Sequence, residues 1–470
     1  MLEDNLELDP FDFVSGFEAI KAENDSEKKQ KMLDDLNGLM RNFQENYLMT
    51  ARDFAQWGAY EDAVLVLKQC TKKYPMLYYY AAYYEEKMGE DDAVKKSLEK
   101  AESCAFDYCF PNKLDDIAVL TFAIENGCKK KAPYYLGNLF YDKLQWKKSV
   151  ELWEMSEKAD DTFSIVHRNL ALAYYNKMGD SKAAKRELEK AFSLNRKDAR
   201  IFLELDQLYK KLGYSFKERL AKYDEDPSLA ESRDDLYIEY ITLMNMCGEY
   251  ERAYRCIMGR RFHPWEGGEG KITTQYTISL LEMAKQCLAS EKYEQAEKLL
   301  KKALVYPENL GEGKLEGTKD NHLFYHLGLA LEAQGKHDEA KTCFETATIG
   351  TDEPAGAMYY NDQPADMILY QGLAFEKLGK TREAKSRFYR LIDYGEQHLN
   401  DEGKIEYFAV SLPDFLIFDE DYTKKNRAHC CYLMALGNIG LQNREKAAEF
   451  LNEALEIEPS HMMATLYQKQ

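Results

Sequence analysis

Apolar side chains recur along this chain every three to four positions, in segments long enough for several helical turns. That period places them on one face of an α-helix. Proline, which breaks such segments, occurs only 11 times in 470 residues, so a nearly all-helical chain is predicted. The segments also resemble one another. HLFYHLGLALEAQGKHDEAKTCFETA, His322 to Ala347, carries Leu327–Gly328, Gly335, Ala340, Phe344 and Ala347. MILYQGLAFEKLGKTREAKSRFYRL sets Gly372, Gly379, Ala384 and Phe388 at the same offsets. HRNLALAYYNKMGDSKAAKRELEKA has Ala171, Tyr175, Gly179, Ala184 and Ala191.

The offsets describe two helices, A and B, packed closely. Gly or Ala where helix A crosses helix B, and two Ala on helix B, let the backbones approach, while residues such as Tyr175 and Phe344 fill the grooves beside them. Gly179, Gly335 and Gly379 end helix A in the left-handed conformation. The pattern resembles the tetratricopeptide repeat, a helix–turn–helix unit of 34 residues. Further copies anchor on Gly58/Ala63/Pro75, Gly89/Ala101, Gly137/Trp146/Trp153, Gly213, Gly248/Ala253, Ala296/Ala303 and Ala447/Ala454/Pro459. The copy around Gly213 continues as SFKERLAKY and lacks the helix B alanines. One repeat cannot bury its apolar face, so about ten helix pairs are expected to stack as an all-α, right-handed α-solenoid.

Gly179, Gly213 and Gly248 follow one another at the repeat length. Beyond them the spacing grows: Ala253, Ala296, Ala340, Ala384 and Ala447 are separated by 43, 44, 44 and 63 residues. Every extra segment falls between helix B of one unit and helix A of the next. The four are FHPWEGGEGK, YPENLGEGKLEGTKDN, GTDEPAGAMYYNDQPADM and YGEQHLNDEGKIEYFAVSLPDFLIFDEDYTKKN. Equivalent loops of a solenoid project from one edge, so four in succession are expected to build a composite surface. The chain is therefore divided into a partial, degenerate N-terminal repeat (1–43), repeats with short loops (44–260) and repeats with expanded loops (261–470), in one continuous solenoid. LELDP at Leu6–Pro10 looks like the closing end of a helix B, as LEIEP does at Leu455–Pro459. The chain thus begins inside a repeat, with either a short lead-in or an upstream part that is missing or supplied by another chain.

Composition narrows the function classes. A formal charge of −19 argues against nucleic-acid binding and against anionic membrane surfaces. No window approaches the ~20 apolar residues needed to span a bilayer, and the acidic start MLEDNLELDP has no signal-peptide pattern. A cytoplasmic location is the default expectation. The ten cysteines are scattered, without CxxC or zinc spacing, and are expected as reduced thiols packed like small hydrophobes.

The loops hold the candidate chemistry. GEGK occurs at Gly268–Lys271 and again at Gly311–Lys314, but neither copy has GxxxxGK[ST] or follows a strand, so a phosphate loop is disfavoured. His263 with Glu266 or Glu269 offers metal-ligand types, and His322 and His326 stand at i, i+4, but packing and corner roles are the better reading of each, and no metal or cofactor is expected. SLPD at Ser411–Asp414 has no strand–turn–helix elbow for a nucleophile. Carboxylates from neighbouring loops are better candidates for acid–base work on a glycosidic bond, namely Glu266, Glu269, Glu312 and Asp362, with Asp414 beside them. Trp265, Tyr359 and Tyr360 could present flat faces to a sugar ring, and with His263 they complete the candidate binding set. The competing reading is structural: glutamates capping helices and Trp265 filling a gap between repeats.

APYYLGNLFYD (Ala132–Asp142), HRNLALAYY, RDDLYIE (Arg233–Glu239), RRFHPWEGGEGK, YPENLGEGKL, YYNDQP and YFAVSLPD together extend the resemblance over almost the whole chain. The chain is similar to the C-terminal helical half of a bacterial family that joins an uncharacterised β-rich domain, of a kind similar to sugar-processing β-sandwiches, to tetratricopeptide repeats. The resemblance implies a protein partner, which a separate β-rich domain could be. The expectation is a non-catalytic scaffold that binds protein through its concave groove and loop face. The alternatives are the helical part of a carbohydrate-binding or carbohydrate-processing protein, with a saccharide at the loop face, and a free-standing hydrolase using two of the carboxylates.

Overall fold

The structure, a computed structural model, describes residues 2–265, 267–354, 363–403 and 417–469. Every regular element among them is helical, and no described helix is long and apolar enough to cross a membrane. The chain forms two compact units, Met1–Leu194 and Asn195–Gln470.

Unit 1 comprises α1 (Leu2–Leu8), α2 (Phe13–Ala22), α3 (Ser26–Met40), α4 (Gln44–Gln56), α5 (Tyr60–Gln69), α6 (Pro75–Lys87), α7 (Asp91–Ser103), α8 (Leu114–Glu125), α9 (Lys131–Asp142), α10 (Trp146–Ala159), α11 (Ser164–Ala173, prolonged by a π-helical turn Tyr174–Met178) and α12 (Ser181–Leu194). Unit 2 comprises α13 (Ala199–Lys211), α14 (Phe216–Glu225), the short α15 (Pro227–Glu231), α16 (Asp234–Cys247), α17 (Tyr250–Met258), α18 (Lys271–Ala289), α19 (Tyr293–Ala303), α20 (Asn321–Ala333), α21 (His337–Ala347), α22 (Met367–Lys377), α23 (Thr381–His398), α24 (Tyr422–Gly440), α25 (Arg444–Ile457) and α26 (Met462–Gln468). Within each unit, successive helices pair as A–B hairpins and stack on their neighbours.

The A–B contact is as close as the small residues demand. A Cβ on Gly137 would lie 2.5 Å from the Trp153 ring, one on Gly328 2.5 Å from Phe344, and one on Gly372 2.3 Å from Phe388. The turn that closes helix A is equally specific. Its left-handed residue is Gly58, Gly89, Gly335 or Gly379 in four hairpins, with φ between 75° and 77°. Leu144, Glu291 and Gln442 hold the same place at φ 57–59°, where a side chain costs energy that glycine does not.

Three features depart from the repeat pattern. First, α8 stands between the α6–α7 and α9–α10 hairpins without a helix B of its own, packed on α6 and α9. Asp116 fixes its start, accepting the backbone N–H groups of Asn112 and Lys113 at 2.8 Å and the Tyr80 hydroxyl at 2.6 Å. Second, α14, which lacks alanines at the positions of the repeat pattern, buries Arg219 instead. Its guanidinium donates to Asp206 at 2.9 and 2.6 Å and to Glu239 at 2.5 Å, and Asp206 also accepts from Tyr223. A buried cation thus occupies the place of small residues, with its partners on α13 and α16. Third, the fourth expanded segment is shorter than its sequence suggests. Its first residues, through His398, continue α23, because Gly395 lets α23 pass closely over α24, where a Cβ would meet Met434 at 2.5 Å.

Unit 2 ends in a helix that turns back onto its own A helices. Leu466 of α26 joins Met246 of α16 and Ile278 of α18 in one apolar cluster, while Ala464 and Tyr467 belong to the core around α22 and α24. All ten cysteines are free thiols, six of them buried outright within helices or beside them.

Candidate functional site

The first two expanded loops lock into each other. The Phe262 N–H donates to the Asn309 carbonyl at 2.8 Å, and the Asn309 side chain returns bonds to the carbonyls of Ile257 and Arg260 at 2.8 and 3.0 Å. Gly311 lies so close beneath Phe262 that a Cβ would meet the Phe262 carbonyl oxygen at 2.5 Å, and its φ is +73°.

The two GEGK copies also meet. Glu312, from the second copy, accepts the N–H of Gly270, from the first, at 2.8 Å, and Glu269 accepts the Gly267 N–H at 2.8 Å. Both carboxylates therefore serve the turn that opens α18. Burial raises the Glu312 carboxyl above its ordinary range; the Gly270 bond works against that and the charge of Glu269 adds to it. Lys314, which closes the second copy, reaches the Leu304 carbonyl at 3.1 Å and Asp320 at 2.6 Å and lies 5.0 Å over the Tyr306 ring. Lys271, which closes the first, lies 5.7 Å from the Trp265 ring. Trp265 itself covers Gly268, whose Cβ would fall 2.2 Å from the indole.

His263 is anchored through its backbone. Its N–H donates to Asp234 at 2.9 Å, the ring Nδ1 stands 3.3 Å from the same carboxylate, and the side chain is 77% exposed. Of the candidate residues, the structure thus brings His263, Trp265, Glu269 and Glu312 into one pair of loops. Glu266, Tyr359, Tyr360, Asp362 and Asp414 lie outside the described residues. What is described of the third loop joins its neighbours: Thr351 accepts from Gln363 and Gln371 at 2.8 and 2.9 Å, and Asn321 reaches the Ala347 and Ile349 carbonyls.

Beside the loop pair lies a cleft of about 710 Å³ that motif reasoning did not single out. It is lined by Glu231, Tyr237, Cys256, Gly259 and four arginines, Arg252, Arg255, Arg260 and Arg261. Two of the cations are neutralised. Arg252 pairs with Asp224 at 2.5 Å and Glu249 at 2.8 Å; Arg260 pairs with Asp234 and stacks 4.7 Å from the Tyr237 ring. Arg255 and Arg261 are exposed and carry no ion pair among the described residues. The signal was present as RAYRCIMGRR, four arginines in ten residues of a strongly acidic chain.

In unit 1, Glu157, His167 and Glu187 form a group with metal-ligand spacing. The His167 ring is committed at both nitrogens, Nδ1 to Glu187 at 2.7 Å and Nε2 to the Asp161 carbonyl at 2.8 Å, and Arg186 holds Glu187 as well. Hydrogen bonds account for His167 and Glu187, and Glu157 stands 3.9 Å from the ring. In unit 2, His322 and His326 sit beside Tyr370 and Tyr325 within the aromatic packing of α20 and α22. Burial depresses both imidazoles to about 3, His326 and Lys285 adding to the effect on His322, so they remain neutral near neutral pH.

Comparison with known proteins agrees with the helix pattern. Tetratricopeptide repeat models match residues 169–198, 322–348, 366–394 and 428–461, so the chain carries tetratricopeptide repeats. Among solved structures it is similar to the tetratricopeptide repeat domain of P58(IPK), at 13% identity over 73% of this chain and 92% of that one, with a TM-score of 0.25. It is similar to a tetratricopeptide repeat protein from Parabacteroides merdae, at 18% identity over 61% of this chain and 98% of that one (TM-score 0.26). It is also similar to YrrB, described as a tetratricopeptide repeat protein with an unusual peptide-binding site, at 18% identity over 55% of this chain and 100% of that one (TM-score 0.20).

Proposed function

We propose that this chain is a repeat scaffold that binds a protein partner, and that the arginine-lined cleft beside the interlocked loops takes an acidic segment of that partner. The observation that carries the reading is the pair Arg255 and Arg261, two exposed guanidinium groups without ion pairs among the described residues, in a chain of net charge −19. Guanidinium forks suit carboxylates, and the bonds are strong when two ends engage together. Tyr237, and Phe262 behind it, supply an aromatic floor on which Arg260 already stacks. A cleft of this volume takes a few side chains rather than a whole domain.

The family resemblance points to a β-rich domain as the first partner to try, by co-expression and co-purification. For a saccharide at the loops no observation speaks. Trp265 covers Gly268 and faces Lys271, and Glu269 and Glu312 accept backbone N–H groups.

The test is fluorescence anisotropy with a short labelled Glu-rich peptide and a Lys-rich control. The chain is expected to bind the acidic peptide, more weakly as salt rises, and Arg255→Glu with Arg261→Glu is expected to cost at least about tenfold in affinity. Equal binding by the charge-reversed variant would remove the cleft from the proposal.

A further inference from the structure

The A-helix face of unit 2 is already holding a helix. α26 is seven residues long and follows α25 after the linker Glu458–His461. Its contacts run to residues far away in sequence. Tyr467 bonds its hydroxyl to that of Tyr370 at 2.7 Å, Gln275 donates to the Met462 sulfur at 3.4 Å, and Lys469 donates to the Met246 carbonyl at the end of α16. Leu466 inserts between Met246 and Ile278, and Tyr432 packs on both His461 and Tyr467. The imidazole of His461 caps the helix, accepting the Ala464 N–H at 3.1 Å.

Such an arrangement has the parts of a groove with a helical ligand: apolar anchors on one face, the Tyr467–Tyr370 and Gln275–Met462 hydrogen bonds for register, and a cation on the carboxyl end of a receptor helix. The receptor side offers methionine and tyrosine, which adapt to more than one ligand. A helix this short does not hold its shape alone. The entropy lost in ordering seven residues is of the same order as the gain from burying Leu466 and Tyr467 and half-burying Met462 and Met463, so seating and release are closely balanced.

We infer that α26 is an internal ligand of the A-helix face of unit 2, and that it masks a docking surface for a short amphipathic helix of a partner. That helix would carry large apolar residues at the spacing of Met462, Met463, Leu466 and Tyr467 and a basic residue just beyond them. The inference rests on the scaffold reading and adds to it a second surface, one that the chain itself closes.

The test uses the 470-residue chain and a labelled peptide of residues 459–470. Leu466→Glu in the chain releases α26 while leaving Met246, Ile278, Tyr370 and Tyr432 in place. The wild-type chain is expected to bind the peptide weakly, the Leu466→Glu chain at least tenfold more tightly, and a peptide carrying the same substitution not at all. Lys469→Ala, at an exposed position, is expected to speed hydrogen exchange in α26 and to give an intermediate affinity. Equal binding by wild type and both variants would overturn the inference, as would loss of helix content in the Leu466→Glu chain, which would make α26 part of the core. Dimerisation of the wild-type chain that Leu466→Glu abolishes would make a second copy the occupant and overturn the partner assignment. Failure here leaves the acidic-peptide experiment untouched, since Arg255 and Arg261 make none of these contacts.

Discussion

Substituting Gly372 by Ala tests whether helix crossing distance holds the repeats together. The added Cβ would lie 2.3 Å from Phe388 Cε1 and 2.8 Å from Cδ1 and Cζ. Ordinary carbon–carbon contact is about 3.5–4 Å, so the ring or the helix must move by about 1 Å. The ring has nowhere to go. Phe388 is fully buried, and on its other side Gly440 approaches so closely that a Cβ there would fall 2.1 Å from Cδ1. Overpacking costs ~1–3 kcal/mol, and a ring pinned between two backbones belongs at the upper end. Alanine returns ~1 kcal/mol of helix propensity over glycine. The net loss is about 2 kcal/mol, or about thirtyfold in the opening equilibrium. Hydrogen exchange followed by mass spectrometry reads this on peptides of α22 and α23, so the two units need not unfold together. Adding Phe388→Leu should recover part of the loss, because the methyl group then fills space that the ring has left. A change below about threefold in Gly372→Ala, or a double variant as unstable as the two losses summed, would refute the crossing-distance argument.

Leu144→Gly, Glu291→Gly and Gln442→Gly each relieve a left-handed backbone position and should each stabilise by up to about 1 kcal/mol, seen as slower exchange in the flanking hairpin. Arg219→Ala leaves Asp206 and Glu239 facing each other without their cation, and should destabilise unit 2 by about 3–5 kcal/mol in urea unfolding. Acid should act mainly on unit 2. Burial holds His322 and His326 at about 3 and His429 and His461 at about 4, so below pH ~6.5 the unfolded chain takes up these protons and the folded one does not. Asp366, raised to about 6 by burial, opposes this with one proton bound in the folded state. Net uptake on unfolding is about three protons near pH 5. Stability is thus present at pH 7 and lost as pH falls, by at most about 4 kcal/mol per pH unit before screening of the half-buried rings. An unfolding midpoint for unit 2 that is flat between pH 6.5 and 5 would contradict the assignment.

What could be read in the sequence was whatever a short stretch enforces by itself. Gly328 with Phe344, and Gly372 with Phe388, lie within one hairpin, so their offset reports directly on packing. Gly179, Gly335 and Gly379 mark turns because left-handed backbone is a local requirement. The same logic failed where compensation came from elsewhere. Arg219 replaces small residues only because Asp206 and Glu239 meet it from other helices, and nothing in SFKERLAKY announces them. The seat of α26 joins Leu466 to Met246 and Ile278, and no local period encodes that return. GEGK lay between these cases: its recurrence was visible, but not that Glu312 of one copy would close the turn of the other.

That exchange bears on how function is sought in such a chain. A loop between repeats exposes backbone N–H and C=O groups that no helix satisfies, and nearby polar side chains are drawn into pairing with them first. Glu269, Glu312, Asn309 and Lys314 are used in this way. A concentration of acids and aromatics in a loop therefore measures how much backbone the loop must satisfy as well as what it could bind. The more telling quantity is the surplus, polar groups with no internal partner at a place a ligand can reach. Among the described residues Arg255 and Arg261 are such a surplus, for they make no ion pair, while Asp224, Glu249 and Asp234 nearby are taken by Arg252 and Arg260. On this criterion the edge of the loop pair, where charge is left over, is the place to look for the proposed partner.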